Sequence, residues 1–335
     1  MRRKERIDRG IKVRSDDIYA IASYREMLYL LLPRLTPVIA LLILPLITQF
    51  CKAYYYEKVA VLSCIIGLLA LSWDYMASVG LFSLGQAFFF GTGAYFSAYA
   101  HLKYGLHPIF AMVIATVAGA LFCTAILAPV LRLRGVYFSI ITLALPLFFT
   151  RIIEATKILG GTEGLTGLMP ISNRWAEVYI PIVSFLTALF AFRRIINSDY
   201  GLVIQAIRDN DRAVLASGLN VQLYKAQCVF VASIASCFAG AFMAHFYQAV
   251  GLSAFALDYS LMPLTSAILG GVGTFAGPAI GAFVIVPLSE TLRTLGTLRV
   301  VVYAVLLFVA VIALPEGIFP YIRRKYQQVE RIVEV

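Results

Sequence analysis

The chain has 335 residues, 61% hydrophobic and only 14% charged, with a formal net charge of +10. A water-soluble domain of this length holds about a quarter charged residues, so the composition excludes a soluble globular protein and requires several membrane-spanning helices. The long apolar runs lack strand-type alternation, which excludes an outer-membrane barrel. The basic residues gather where apolar segments end, the footprint of inner loops and not of a nucleic-acid-binding surface.

The first 34 residues carry nine Lys or Arg before any long apolar run has been completed. A secretory signal has a shorter basic region and a cleavage site of small residues, so residues 1–27 read as a basic cytosolic tail before an uncleaved first span. Crossing the hydrocarbon takes about 20 apolar residues. Full-length candidates are 28–50, 59–79, 109–131, 136–153, 178–195, 226–250 and 300–314. Two further apolar regions are interrupted by glycine: 83–101, with Gly85, Gly91 and Gly93, and 259–292, with Gly270, Gly271, Gly273, Gly277, Pro278 and Gly281. The second is too long for one crossing and splits around 271–277 into a short helix and a returning one.

The expected fold is therefore an all-α integral membrane protein of about ten transmembrane segments between residues 28 and 314, with residues 315–335 as a second cytosolic tail. The two glycine-interrupted segments are third and eighth in order and run in opposite directions, as in an inverted-topology repeat. A single glycine in a membrane helix ordinarily serves close packing. A run such as Gly270-Gly271-Val272-Gly273 followed by Gly277-Pro278 breaks the helix, which a membrane tolerates where the backbone lines a cavity or is buried in protein.

With the N-terminus inside, 20 of the 28 basic residues fall at inner positions and eight outside. This bias places both termini in the cytosol. Residues 154–176 are then an outer loop, and the polar stretch 197–224 is inside. Within that stretch Ala206, Ile207, Ala213, Val214 and Leu215 recur at helical spacing among charged residues, which predicts one or two short amphipathic helices against the ends of the spans.

The sequence contains no GxxxxGK[ST], HExxH, GxSxG or zinc-type spacing, so no catalytic, cofactor or metal residues are expected. Five cysteines, Cys51, Cys64, Cys123, Cys228 and Cys237, form no CxxC pair and read as small hydrophobes. His101, His107 and His245 lie near predicted outer loops and read as satisfied interfacial residues. Arg151 with Glu154, and Glu290 with Arg293, stand three apart and suit local ion pairs. Asp74 lies near the inner end of the second span. No chain of buried acids of the kind a proton-coupled carrier uses is visible, which points to an external energy source.

These residues resemble the permease subunits of branched-chain amino acid ABC importers, from about Leu62 to Tyr321. The resemblance is carried by an ordered set of motifs: Ser72-Trp73-Asp74, the run from Leu84 through Gly85-Gln86 and Gly91-Thr92-Gly93 to Tyr95, and Leu131 through Arg134-Gly135 to Phe138. It continues with Gly160-Gly161-Thr162-Glu163-Gly164, the polar stretch through Gly218, Leu269-Gly270-Gly271-Val272-Gly273 through Pro278, and Pro315-Glu316-Gly317. Gln86 stands where the family often has histidine. The basic tail looks like that of the larger of the two permease types.

The resemblance implies a multi-pass subunit of the inner (cytoplasmic) membrane that pairs with a second, homologous permease. It also implies two cytosolic ATPase subunits that hydrolyse ATP and an extracytoplasmic solute-binding protein. ATPase coupling would fall on Ala206, Arg208, Asp209, Asn210, Arg212, Ala213 and Gly218. Pathway candidates are Gly85, Gln86, Gly91, Gly93, Gly270, Gly271 and Gly273, and binding-protein contact candidates are Thr162 and Glu163. The expected cargo is leucine, isoleucine or valine. Urea and short-chain amide importers belong to the same family and stay open as alternatives, as do a stand-alone secondary transporter and a non-conducting structural subunit.

Overall fold

A computed structural model describes residues 37–46, 48, 54–133, 135–171, 173–292 and scattered positions from 296 to 324. The chain divides into two units, Met1–Ile47 and Thr48–Val335. The first unit contributes one apolar helix, α1 (Pro37–Leu46).

The second unit begins with α2 (Tyr54–Ala77), α3 (Gln86–Tyr104), α4 (Pro108–Leu127) and α5 (Val136–Thr156). A two-residue strand β1 (Leu165–Thr166) precedes α6 (Arg174–Ile196), α7 (Asp199–Ala216) and α8 (Val221–Tyr247). Strand β2 (Ala249–Val250), α9 (Asp258–Gly270) and α10 (Ala276–Thr291) follow. Eight of these, α2 to α6 and α8 to α10, match one for one the second to ninth segments expected from the sequence. The expected first span lies mostly, and the tenth largely, outside the described residues, as does the Arg293 half of its predicted ion pair.

Six described stretches are long and apolar enough to cross a membrane: α2, α4, α5, α6, α8, and the run Leu252–Gly270 that contains α9. Helix α3 is not among them, although from Gln86 to Ala98 it is buried apart from Phe96. The reason lies in its composition: Gln86, Thr92, Tyr95 and Ser97 lower its apolarity, and all four face inward. Helices α4 and α5 instead turn Phe110, Val117, Ile140 and Phe148 outward, as lipid-facing helices must. At 24 residues, α2 is about 36 Å long, enough for a full crossing of roughly 30 Å of hydrocarbon.

The structure corrects one expectation. The third segment is irregular only at residues 83–85; the helix then runs unbroken through Gly91 and Gly93. These glycines permit contact instead. A Cβ on Gly93 would lie 2.1 Å from the carbonyl oxygen of Cys237, and one on Gly240 would lie 1.9 Å from that of Phe90. Phe90 meeting Gly240 while Gly93 meets Cys237 fixes α3 and α8 as antiparallel neighbours in backbone contact.

The eighth region does break, as expected. Helix α9 stops at Gly270 and α10 starts at Ala276, and the two return along each other. A Cβ on Gly270 would fall 1.8 Å from the Gly277 oxygen, and one on Gly281 would fall 1.9 Å from the Ser266 oxygen. At 13 and 16 residues these helices are about 20 and 24 Å long, short of a full crossing.

Candidate functional site

The polar stretch folds into α7, whose backbone is interrupted at Asn210 (φ −157°, ψ 95°). The Asn210 side-chain oxygen accepts from the N–H groups of Arg212 and Ala213, both at 3.2 Å, so it caps a second short helix that starts after it. Two amphipathic helices, not one, result. Ile204, Ile207 and Val214 anchor them to the bundle. Lys225, itself buried on α8, pairs with Asp211 at 3.7 Å. Tyr200 packs on Tyr224 with ring centroids 5.4 Å apart, and burial pushes its phenol up to about 12. The stretch ends at Gly218, whose positive φ of 85° terminates the helix.

The opposite face of α7 is open. Ala206, Arg208, Asp209, Asn210, Arg212, Ala213 and Gly218 are all exposed. Leu202, Leu215 and Leu219 are exposed with them, as is Leu223 at the start of α8. Apolar side chains interleaved with two arginines on a polar end of the molecule form a surface suited to a protein partner.

Beneath this face lies a buried junction. Asp74, fully buried in the last turn of α2, accepts from the N–H of Gly273 at 2.6 Å and of Phe275 at 3.1 Å. Its carboxylate therefore holds the turn between α9 and α10. Phe275 takes a left-handed conformation (φ 55°) that a non-glycine residue adopts only when its surroundings impose it. Gly317 packs on Gly271, where its own Cβ would come within 2.4 Å of the Gly271 Cα. On the other side, the backbone of Arg208 lies over Gly80, 3.5 Å from where a Cβ would stand. Three of the motifs, through residues 72–74, 269–278 and Gly317, thus meet in one place beside α7.

Deeper in the bundle, α3 begins inside the protein. Its first free N–H groups are taken by side chains: Gly85 donates to Ser83 (3.2 Å) and Ala87 to Ser260 (3.0 Å). The preceding Leu84 donates to Thr142 (3.1 Å), and the Trp73 indole donates to the Ser83 carbonyl (2.6 Å). The Ser236 hydroxyl lies 2.7 Å from Ser72 and 3.2 Å from the Gln86 side-chain oxygen, while the Gln86 amide nitrogen has no partner among the described residues. The hydroxyls of Thr92, Ser266 and Thr274 each donate to a backbone carbonyl of their own segment.

The pathway candidates separate into three groups. Gly85 and Gln86 lie at the buried start of α3, with the Gly85 backbone against Thr142. Gly91 packs on Phe255 and Gly93 on Cys237, at helix contacts. Gly270, Gly271 and Gly273 belong to the turn that Asp74 holds.

About 17 residues along α2 from Asp74, some 25 Å, Glu57 marks the other end of the bundle. There it pairs with Arg174 of α6 at 2.9 Å. The predicted outer loop, 157–173 in the structure, pairs β1 with β2 (Leu165 opposite Val250) and leaves Thr162 and Glu163 exposed at its tip. Two histidines clamp its base. The Met169 N–H donates to His101 Nε2 (3.2 Å), and the Met169 carbonyl lies 3.0 Å from His245 Nδ1. His245 Nε2 in turn meets the Ser97 hydroxyl at 3.0 Å. Both rings are satisfied, as expected for interfacial histidines, and the Arg151–Glu154 pair forms at 2.8 Å.

Sequence reasoning missed the Asp74 junction and the Glu57–Arg174 tie. The signals for Asp74 were a lone acid in an apolar run and its place in the Ser72-Trp73-Asp74 motif, and nothing local points to partners some 200 positions away.

Comparison with known proteins places residues 55–313 in the family described as branched-chain amino acid transport system / permease component. The chain is 26% identical over 317 residues to the high-affinity branched-chain amino acid transport system permease protein LivM of Escherichia coli K12, covering 85% of this chain and 75% of that one. It is 25% identical to the Salmonella typhimurium protein of the same description, over 85% and 74%. It is 26% identical to a probable LivM permease of Methanocaldococcus jannaschii, over 52% of each. No solved structure matches the chain.

Proposed function

The chain belongs to the branched-chain amino acid transport permease family, and from that premise we propose that it is the membrane-spanning subunit of an ATP-driven importer. In this reading it pairs with a second homologous permease in the cytoplasmic membrane, two separate ATPase subunits hydrolyse ATP, and an extracytoplasmic binding protein delivers leucine, isoleucine or valine. The observation that carries the reading is the open face of α7. Seven residues expected to meet an ATPase are exposed together on two short helices that buried side chains pin to the bundle.

The geometry also supplies a route for force. A pull on α7 bears on Gly80 through the backbone of Arg208. It is then passed through Asp74 to the turn joining the two short helices. A packed junction of this kind shifts between discrete arrangements, as alternating access requires. The polar groups deeper in the bundle, Ser72, Gln86, Ser236 and Ser260, are uncharged. A pathway opening among such groups would let a zwitterion pass without trapping it, which leaves selection to the binding protein.

Reversing the charge at Arg208 and Arg212 together (Arg208→Glu, Arg212→Glu) should leave insertion intact and uncouple ATP hydrolysis from labelled-leucine uptake in vesicles holding the whole complex. Normal uptake by this variant would reduce α7 to a cap on the bundle. Leucine uptake of equal strength with the binding protein omitted would overturn the assignment of selectivity to that protein.

A further inference from the structure

The end of the bundle opposite α7 holds a feature that coupling and transport leave unused. A pocket of about 430 Å³ opens among α2, α6 and α8, walled by Tyr54, Glu57, Lys58, Arg174, Glu177 and Phe246. Two of its four charges satisfy each other: Glu57 binds Arg174, whose guanidinium lies 4.2 Å from the centre of the Tyr54 ring. Lys58 and Glu177 lie close enough to feel each other's charge, but neither makes a direct hydrogen bond or ion pair among the described residues. The pocket as a whole is neutral, with one acid and one base unmatched. Tyr54, Tyr55, Tyr56 and Trp175 are exposed on the same turns, the aromatic signature of the headgroup layer.

Along the same helices toward mid-membrane runs an apolar groove of about 590 Å³, walled among others by Leu68, Ile180, Val183, Ala191, Ile234 and Phe238. It starts on α6 at Tyr179, one residue beyond Val178 of the charged pocket, and follows α6 to Ile195, about 24 Å. On α2 the pocket reaches Val61 and the groove takes over at Leu68, two turns further along.

We propose that pocket and groove together hold one phospholipid with a zwitterionic, primary-amine headgroup. The phosphate lies on Lys58, the ammonium donates to Glu177, and an acyl chain fills the groove. Charge selects this occupant. An anionic headgroup would set a further negative charge beside two carboxylates, and a quaternary ammonium has no hydrogen to donate to Glu177. A soluble zwitterion would leave the groove empty, and an apolar helix from another subunit would leave Lys58 and Glu177 unmatched.

The test is lipid retention. The full chain, purified with the subunits that accompany it, is exchanged into nanodiscs holding equal parts phosphatidylethanolamine, phosphatidylcholine and phosphatidylglycerol. After a mild-detergent wash, retained lipid is identified by native mass spectrometry. Phosphatidylethanolamine should be held about tenfold over the other two, the scale of one charge-assisted hydrogen bond. Glu177→Gln should remove that preference, and Lys58→Gln should weaken retention of all three lipids, each without lowering the unfolding temperature, since neither side chain ties helices together. A photo-crosslinker at Ala188, in the groove, should label lipid.

Equal retention of the three lipids, a preference that survives Glu177→Gln, or retention unchanged by Lys58→Gln would overturn the proposal. So would displacement by glycerophosphoethanolamine as effective as by intact lipid, which would mark a soluble-zwitterion site, and so would crosslinking from Ala188 to another subunit.

Discussion

Asp74 shows what one buried carboxylate does in this protein. Two backbone N–H groups from a turn 200 residues away converge on its two oxygens, inside a region closed to water. Removing the carboxylate leaves both donors buried without a partner, which costs on the order of 3 kcal/mol. Asp74→Ala should therefore lower the unfolding temperature in detergent markedly. Asp74→Asn should fall between it and the parent chain, because an amide accepts through its oxygen but opposes one N–H with its own. Equal stability of all three proteins would show that the turn holds itself. The sequence marks Asp74 as an acid near a helix end within the Ser72-Trp73-Asp74 motif, and not as the clamp of a turn, because its role depends on partners that tertiary folding brings to it.

At the scale of elements, glycine is the instructive residue. Gly91 and Gly93 read like the Gly270–Gly277 run, yet the first pair lies in a continuous helix and the second group ends one. The difference is density: Gly270, Gly271 and Gly273 fall within four residues and two of them take positive φ, whereas Gly91 and Gly93 keep helical backbone and supply only close approach. Gly240→Ala places a methyl 1.9 Å from the Phe90 oxygen, so α3 and α8 must part. The expected loss is about 1–3 kcal/mol, read as a lower unfolding temperature. Helix α7 offers a milder case. Asn210→Ala removes the cap of its second half, worth about 1 kcal/mol, and should raise protease sensitivity between residues 209 and 217 while leaving the core unchanged. The amphipathic period of this stretch was legible from sequence; the break at Asn210 was not, because it depends on one side chain turning back onto its own backbone.

For the whole molecule, the grouping of residues at two ends can be read directly by chemistry. Cys64, Cys123, Cys228 and Cys237 are free and fully buried, so a maleimide should label none of them before unfolding. With Cys51 replaced by serine, Thr162→Cys should react with a membrane-impermeant maleimide added outside whole cells. Arg212→Cys should react only in inverted vesicles. Labelling of both from one side would overturn the arrangement in which the 157–173 loop and α7 lie on opposite faces.

Apolar length, glycine density and the distribution of charge determined the membrane class, the order of eight helices, the split near Gly271 and the separation of α7 from the 157–173 loop. Each of these depends on a local quantity: how many consecutive residues avoid water, where glycines crowd together, and where cations cluster. Tertiary structure alone decided that α3 begins inside the bundle, that Gly93 and Gly240 bring two backbones together, and that Asp74 holds the Gly271–Phe275 turn. It alone also placed Glu57 against Arg174, with Lys58 and Glu177 beside them. Those features are pairings between distant positions, fixed by which buried donors and acceptors find each other once water is excluded, and a one-dimensional pattern carries no record of them.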